Sequence, residues 1–217
     1  MALAQGTDSN VVGYVNTQGE NGATLLAPMF VACDGTGEAR LEHITGNFEE
    51  WVDTLQILDD TLVTSTLYWW IDVDGLGKCV WSEDTLTDDS AVTIPRGAGV
   101  VISSAAATIQ NAGEVATTGV VIECDPGASV LGNPIPVAIK LGSISFTGLE
   151  EWEDTLQLLD GTLVTSTLYW WVDVDGLGTP VWSEDTLADD SNVELAPGAG
   201  FVLSSANGST VTFPSAL

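Results

Sequence analysis

The sequence contains very few basic residues. Of its 217 residues only 4 are Lys or Arg, against 31 Asp or Glu, so the formal net charge is −27 at pH 7. A surface of this sign repels phosphate groups, which argues against nucleic acid and against anionic membranes as partners. Because salt, divalent cations or a basic partner would relieve the repulsion, the acidity fits either a saline habitat or a partner.

Histidine and cysteine are also scarce, and no catalytic constellation is recognisable. His43 is the only histidine, and a Ser-His-Asp or Cys-His arrangement would have to depend on it alone. The three cysteines show no C-x-x-C spacing, which argues against zinc, and no dinucleotide or phosphate-binding motif is present. Carboxylates are plentiful, but no pair stands out, so the sequence predicts a non-enzymatic protein with no resident organic cofactor.

Long hydrophobic runs are missing as well. No run approaches the roughly 18 apolar residues that span a bilayer, so we expect no membrane insertion. The opening MALAQGTDSN lacks the cationic start and apolar stretch of a leader, so we expect no signal peptide in this chain. Hydrophobic residues nevertheless make up 45% of the chain and the mean hydropathy is +0.25, which is enough for a packed core.

An internal repeat organises what is present. When the chain is shifted by 101 residues, 34 of the 41 positions of segment 50–90 are identical in segment 151–191. Looser matches extend in both directions and give units of about 105 residues, each large enough for its own core. We predict an N-terminal arm at residues 1–9, a first β unit at 10–115 and a second at 116–217.

The pattern within each unit is that of β-strands. Short runs of β-branched and aromatic residues are interrupted by Gly, Pro, Asn and Asp every 8–12 residues, as in sandwiches and barrels. The predicted fold is all-β, with two tandem pseudo-symmetric sandwich- or barrel-like units. The strands predicted in the first unit are Val11–Asn16, Ala23–Val31, Thr54–Leu58, Leu62–Val73, Lys78–Ser82, Ser90–Ile94, Gly99–Ser103 and Thr108–Ala112. Only the segments NFEEWVDTL and GLEEWEDTL are compatible with a helical turn.

The aromatic strand STLYWWIDVDGLG, repeated as STLYWWVDVDGLG, predicts two unlike faces. Alternation places Leu67, Trp69 and Ile71 on one apolar face, which we predict to be the core face. The opposite face carries Tyr68 and Trp70, or Tyr169 and Trp171 in the second copy. Three interpretations of this second face are open: a second buried face, a protein–protein surface, or a platform for stacking sugars.

Carboxylates follow the aromatic strand. Asp-Gly between two strands is first of all a hairpin signal. The spacing resembles an EF-hand, but Leu76 and Leu177 occupy a ligand position between strands, so we reject an EF-hand. A different calcium site stays open, as does a solvated acidic rim. The calcium candidates are Asp72, Asp74, Glu83 and Asp84, with Asp173, Asp175, Glu184 and Asp185 in the second copy.

Several motifs resemble a group of uncharacterised β-rich bacterial proteins, some of them exported or phage-associated, built from tandem units. The motifs are NVVGYV near the start, TLQILD, the aromatic strand before a Trp-bearing hairpin, and PGAGFVLSSA near the end of a unit. The group has no established activity, so the resemblance implies a compact all-β unit and no catalytic residues.

We therefore expect a structural protein that self-assembles into an extracellular filament, a surface layer or part of a virion. Duplication, apolar content with an aromatic second face and the lack of catalytic groups motivate this expectation. Its main partner would be further copies of itself. The alternative is a carbohydrate- or calcium-binding β module, with a glycan or calcium as ligand.

Overall fold

The computed structural model describes residues 12–19, 21–58, 65–105, 107–159 and 166–215. In these ranges the chain is all-β, with 21 strands and two short 3-10 turns. The first copy of the repeat contains β1 (Val12–Gln18), β2 (Asn21–Leu26), β3 (Phe30–Val31), β4 (Ala39–Arg40), a turn at Leu41–His43, β5 (Ile44–Gly46), β6 (Thr54–Leu58), β7 (Ser65–Ile71), β8 (Val80–Ser82), β9 (Thr93–Ile94), β10 (Val100–Ala105) and β11 (Thr108–Val115). The second contains β12 (Val120–Cys124), β13 (Gly127–Gly132), β14 (Ile139–Lys140), a turn at Leu141–Ser143, β15 (Ser145–Thr147), β16 (Thr155–Leu159), β17 (Ser166–Val172), β18 (Val181–Ser183), β19 (Glu194–Leu195), β20 (Gly200–Ser205) and β21 (Ser209–Phe213).

The strands form small antiparallel sheets. The largest in the first repeat has the order β2-β10-β6-β7-β8, and its counterpart in the second has the order β13-β20-β16-β17-β18. Each repeat adds a smaller sheet, β1-β11-β3 with β5 also on β11, or β12-β21-β15, and one two-stranded ladder, β4-β9 or β14-β19. The four larger sheets are arranged like the blades of a four-bladed propeller.

The hydrophobic core is divided between the two repeats, and within each repeat it joins residues of more than one sheet. Buried side chains from both sheets of the second repeat pack in one cluster, which includes Leu156, Phe201 and Val211. The larger cluster of the first repeat includes Leu55, Ile102 and Ile109, again from both of its sheets, and a smaller one contains Met29, Phe30 and Val115. Burial of apolar surface is the main force that holds such sheets face to face.

Several predicted strands are confirmed. The strand predicted at Thr54–Leu58 has those bounds, and β7 pairs with β8 as the predicted hairpin. The long strand predicted at Ala23–Val31 is instead split into β2 and β3. It breaks because the Ala27 N–H donates to the Gly198 carbonyl of the other repeat, at 2.9 Å, and so leaves its own sheet. The arm predicted at residues 1–9 and the start of the aromatic strand, Leu62–Thr64, lie outside the described residues.

The two repeats meet through reciprocal hydrogen bonds. The Gly132 N–H donates to the Gly97 carbonyl at 3.0 Å, which mirrors the bond from Ala27 to Gly198. Bridges between Leu26 and Ala199 and between Ala98 and Leu131 repeat the same symmetry. The Gly-Ala-Gly turn of each repeat therefore lies against the end of a strand, β2 or β13, of the other repeat.

The segment that was compatible with a helical turn forms only a tight turn at residues 50–52. The amides of Val52 and Asp53 both donate to the Glu49 carbonyl, and the chain then enters β6 directly. Within the described ranges, no helix has the length and apolar character needed to cross a membrane.

Candidate functional site

The aromatic residues that precede the acidic loop are packed inside the first repeat. Tyr68 is only 5% exposed, and it pairs across the sheet with the fully buried Leu55. Trp70 is half-buried and contacts the rings of Phe48 and Trp81, with centroid separations of 5.4 and 5.0 Å. Tyr68 and Trp70 therefore belong to the core face of β7, which corrects the predicted assignment of faces.

The apolar row that was predicted to be the core face lies largely on the other side of the sheet. Leu67 is exposed and Trp69 is half-buried, whereas Ile71 at the end of β7 is buried. The second repeat is organised in the same way: Tyr169 is buried, and Trp171 lies 5.0 Å from Trp182 between ring centroids. Tyr68 and Tyr169 thus offer no interaction surface, and the interpretation of this face as buried is the one that fits.

The first carboxylates after β7 organise their own loop. Asp72 accepts hydrogen bonds from the amides of Gly77, at 2.6 Å, and Leu76, at 3.2 Å, and Asp74 accepts from Leu76 at 3.0 Å. Asp173 and Asp175 make the equivalent bonds to Leu177 and Gly178 in the second repeat. The bond from the Gly77 amide is the main cause that lowers the pKa of the Asp72 carboxyl, as the Gly178 amide lowers the pKa of Asp173.

The second acidic loop, which follows β8, is built on the same principle. Asp84 accepts from the amides of Leu86 and Thr87, both at 2.9 Å, and the bond from Leu86 is the main cause that lowers the pKa of Asp84. The Glu83 amide donates to Asp89 at 2.8 Å. In the second repeat the equivalent residues Glu184 and Asp185 have the same roles, with Leu187 and Asp190 as partners.

The two acidic loops do not bring the predicted calcium ligands together. Asp72 and Asp74 converge on one amide, while Glu83 and Asp84 belong to a separate loop. In the part of the chain that the structure describes, no three or more His, Cys, Asp or Glu side chains form a group that could hold a metal ion. Six of the eight candidate carboxylates, all of them aspartates, accept amides of their own turns, and calcium binding stays a prediction.

His43 has a structural position. Its Nδ1 accepts the Arg40 amide at 3.0 Å within the 3-10 turn, and the side chain is buried. Burial lowers the pKa of His43, so the neutral ring is favoured. His43 is therefore a buried residue of the turn and not a surface histidine.

What the acidic loops do present to solvent is apolar. Leu76 and Leu86 at the loop tips are 82% and 80% exposed, and their counterparts Leu177 and Leu187 are exposed to the same degree. Trp51 and Trp152 lie on the tight turn before β6 and β16, and each is 57% exposed. We call these six residues the apolar tips. The Glu50 carboxylate, which accepts the Asp72 amide at 3.2 Å, ties the tryptophan turn to the first acidic loop.

The tryptophan turn holds an unfavourable backbone conformation. Trp51 and Trp152 have φ angles of 65° and 67°, a left-handed region that a bulky residue rarely adopts and that costs roughly 1–3 kcal/mol. Each turn is held by the tryptophan amide, which donates to the carbonyl of Trp70 or Trp171. The prediction of a helical turn did not identify either tryptophan as an exposed residue. The signal that could have done so is a large aromatic residue among carboxylates immediately before a strand.

Buried carboxylates fix the same turn. Asp53 and Asp154 accept the amides of Glu49 and Glu150 at 2.7 Å. Asp154 also accepts the Ala206 amide at 2.7 Å and the Ser205 hydroxyl at 3.4 Å, whereas Oδ1 of Asp53 is buried with no hydrogen-bond partner. The two repeats therefore provide a matched pair of buried carboxylates with unequal hydrogen bonding.

We expect Asp154→Ala to be more destabilising than Asp53→Ala. Removing Asp154 takes the charged acceptor from two partly buried amides, at about 2–4 kcal/mol, while removing Asp53 takes it from one, at about 1–2 kcal/mol. Urea unfolding followed by circular dichroism measures both, with Glu153→Ala as the exposed control. Equal losses for the two aspartates would contradict the role assigned to the extra hydrogen bonds.

Comparison with known proteins adds no relative: no family model, no curated protein and no solved structure matches this chain. The functional argument consequently depends on the residues of the chain itself.

Proposed function

We propose that this is a non-enzymatic structural protein whose two repeats are tandem, pseudo-symmetric β units that self-assemble through the apolar tips. The observation that carries the proposal is that the same apolar loop residues are exposed in both repeats. Trp51, Leu76 and Leu86 are as exposed as Trp152, Leu177 and Leu187, in loops with the same hydrogen bonds. Large exposed apolar groups are a liability for a protein that works alone, and aromatic residues are enriched at interfaces.

The division into two units is supported by the strand pairing. Within the described residues, the sheets of the two repeats are separate, and the junction includes a symmetric pair of hydrogen bonds, from Ala27 to Gly198 and from Gly132 to Gly97. A chain with two equivalent surfaces can join two neighbours, which is the minimum needed for a filament or a layer. We propose an extracellular filament, a surface layer or a virion as the setting.

Charge sets the condition for assembly. Copies that carry −27 each repel one another until salt shortens the range of the repulsion from about 30 Å at 0.01 M to about 3 Å at 1 M. Apolar contacts do not weaken with added salt. Assembly through the tips is therefore expected to increase with ionic strength.

The test is the size of the native protein. Light scattering and electron microscopy across this salt range, with and without calcium, are expected to show particles or fibres that grow with salt. The variant Trp51→Ser with Trp152→Ser is expected to remain small, whereas Val137→Ser, which removes an exposed apolar residue outside the tips, is expected to assemble normally. A wild-type protein that stays monomeric throughout would refute self-assembly, and an assembling tryptophan variant would refute the role of the tips.

Glycan binding is the second candidate, because an exposed tryptophan amid carboxylates can stack on a sugar ring and accept its hydroxyl hydrogen bonds. The predicted platform of Tyr68 and Trp70 lies in the core, so sugar stacking would use Trp51 and Trp152 instead. A glycan array compared between wild type and the tryptophan variant decides between the two candidates. Calorimetry against calcium tests the remaining ligand.

A further inference from the structure

A cavity of about 480 Å³ lies at the junction of the repeats. Its wall is formed by Leu58 and the turn that starts at Pro95 from the first repeat, and by parts of β12 and β13 from the second. Val120, Val130 and Leu131 make most of that second wall apolar. This volume falls in the range of about 300–1,000 Å³ that is typical of small-molecule sites.

Arg96 is the cation of this cavity, and its charge is not compensated. The Nε atom is buried without a hydrogen-bond partner, and Nη2 donates only a long bond of 3.4 Å to the Thr118 carbonyl. All ion pairs found in the described residues belong to Arg40. In a chain with 31 acidic residues, none of the described ones pairs with Arg96. Partial burial lowers the pKa of Arg96 from its usual value.

The repeated architecture does not require this arginine. In the second repeat the equivalent position is Pro197, in a turn whose Gly198 carbonyl accepts from Ala27 as the Gly97 carbonyl accepts from Gly132. A proline has no side-chain donor. The guanidinium is thus a feature of one junction turn only, and it borders the apolar cavity of that junction.

We propose that the junction cavity binds a small organic acid, whose carboxylate pairs with the Arg96 guanidinium and whose apolar body contacts Leu58, Val130 and Leu131. A guanidinium offers two parallel N–H donors that match the two oxygens of a carboxylate. Glu123, the acidic residue on the cavity wall, accepts a hydrogen bond from Thr210 at 2.7 Å. Its negative charge disfavours a second anionic group, so the ligand is a monocarboxylic acid.

Calorimetry with octanoate and with octanamide, which has the same shape but no charge, tests the proposal on the full chain. Octanoate is expected to bind at one site per chain, more tightly than octanamide. Arg96→Met is expected to weaken octanoate binding about tenfold or more and to leave octanamide nearly unchanged. Lys140→Met, which removes an exposed positive charge elsewhere, controls for the change in net charge and is expected to bind octanoate as the wild type does.

A second variant locates the ligand. Arg96 also borders a smaller cavity of about 160 Å³ beside Thr117 and Thr118, so loss of the guanidinium alone does not say which cavity is used. Val130 lines only the larger of these two, and Val130→Phe is expected to abolish binding of both probes. Because Val130 also packs against Gly99 at the junction, unfolding in a single calorimetric transition at the wild-type temperature checks that the junction of this variant is intact. The proposal is overturned if wild-type protein binds no octanoate, if Arg96→Met binds it equally well, or if a folded Val130→Phe variant retains it.

Discussion

Trp81→Ala is expected to lower the free energy of unfolding by about 3–5 kcal/mol, the usual cost of removing a large buried aromatic residue. Trp81 is fully buried, packs against Phe48 and Trp70 at centroid separations of 5.1 and 5.0 Å, and donates its Nε1–H to the Ile44 carbonyl at 2.8 Å. Its loss would leave a cavity between the two sheets of the first repeat. Denaturant unfolding measures the effect, and Trp51→Phe on the surface, expected within about 0.5 kcal/mol of wild type, is the control.

The equivalent tryptophan of the second repeat provides a matched comparison for Trp81. Trp182 is buried in the equivalent position, between Phe146 and Trp171, but its Nε1–H has no hydrogen-bond partner. Trp81→Phe removes a made hydrogen bond and orphans the Ile44 carbonyl, whereas Trp182→Phe removes an unsatisfied donor. We expect Trp81→Phe to cost about 1–3 kcal/mol more than Trp182→Phe. Equal costs would mean that the indole hydrogen bond contributes nothing beyond packing.

The two tryptophans also differ in where their aromatic partner lies in the chain. The segment before the tryptophan turn is one residue longer in the second repeat, counted from Lys140 to Trp152 against Arg40 to Trp51. Phe146 therefore contacts the tryptophan pair from β15, whereas Phe48 does so from the loop that follows β5. The near-identical block alone could not reveal this, because the third ring comes from outside it.

The all-β class and the strand–turn–strand pattern could be predicted from local signals. Alternation and Asp-Gly are properties of a few neighbouring residues, which is why the strand Thr54–Leu58 and the hairpin to β8 were within reach. Which face of β7 is buried could not be predicted from such local signals. Alternation separates two faces, but which one is buried depends on the residues that cover it, here Phe48 and Trp81, and these come from elsewhere in the chain.

The acidic loops show a second limit of local patterns. Carboxylates at calcium-loop spacing and carboxylates that accept amides of their own turn have the same sequence signature, since both need acceptors on a sharply bent chain. The two kinds of loop differ in what the carboxylate contacts, and here Asp72 accepts hydrogen bonds from the amides of Gly77 and Leu76. In the same way, the Trp51 turn is not evident from the sequence, because a positive φ at tryptophan contradicts its ordinary preference.

The junction between the repeats could not be predicted from local patterns either, although the Gly-Ala-Gly turns that form it are easily recognised in the sequence. Within its own repeat, each turn leads into a largely buried strand, β10 or β20. Their second role needs the other repeat: Gly99 lies against Val130, and Gly200 lies against Leu25. Pro95, Arg96 and Ala98 of the same turn also line the junction cavity. One short turn thus serves the strand, the junction and the candidate ligand site.

Gly99→Ala and Gly200→Ala are therefore expected to disrupt the contact between the repeats. A Cβ at Gly99 would lie well inside van der Waals contact of the Val130 side chain, and a Cβ at Gly200 would overlap the Leu25 side chain. Overpacking of this kind costs about 1–3 kcal/mol per site, and occasionally more, so the double variant is expected to lose about 2–6 kcal/mol. Gly13→Ala, whose Cβ would lie 3.3 Å from the Phe30 ring away from the junction, is the control.

The shape of the unfolding curve adds a second measurement. If the junction couples two units that each have a core, weakening it is expected to split one calorimetric transition into two, one per repeat. The far-ultraviolet circular dichroism spectrum should be retained, since the clashes lie between the repeats and not within a sheet. A double variant that unfolds in one transition at the wild-type temperature would show that the turns accommodate a methyl group and that the junction is looser than the hydrogen bonds from Ala27 and Gly132 indicate.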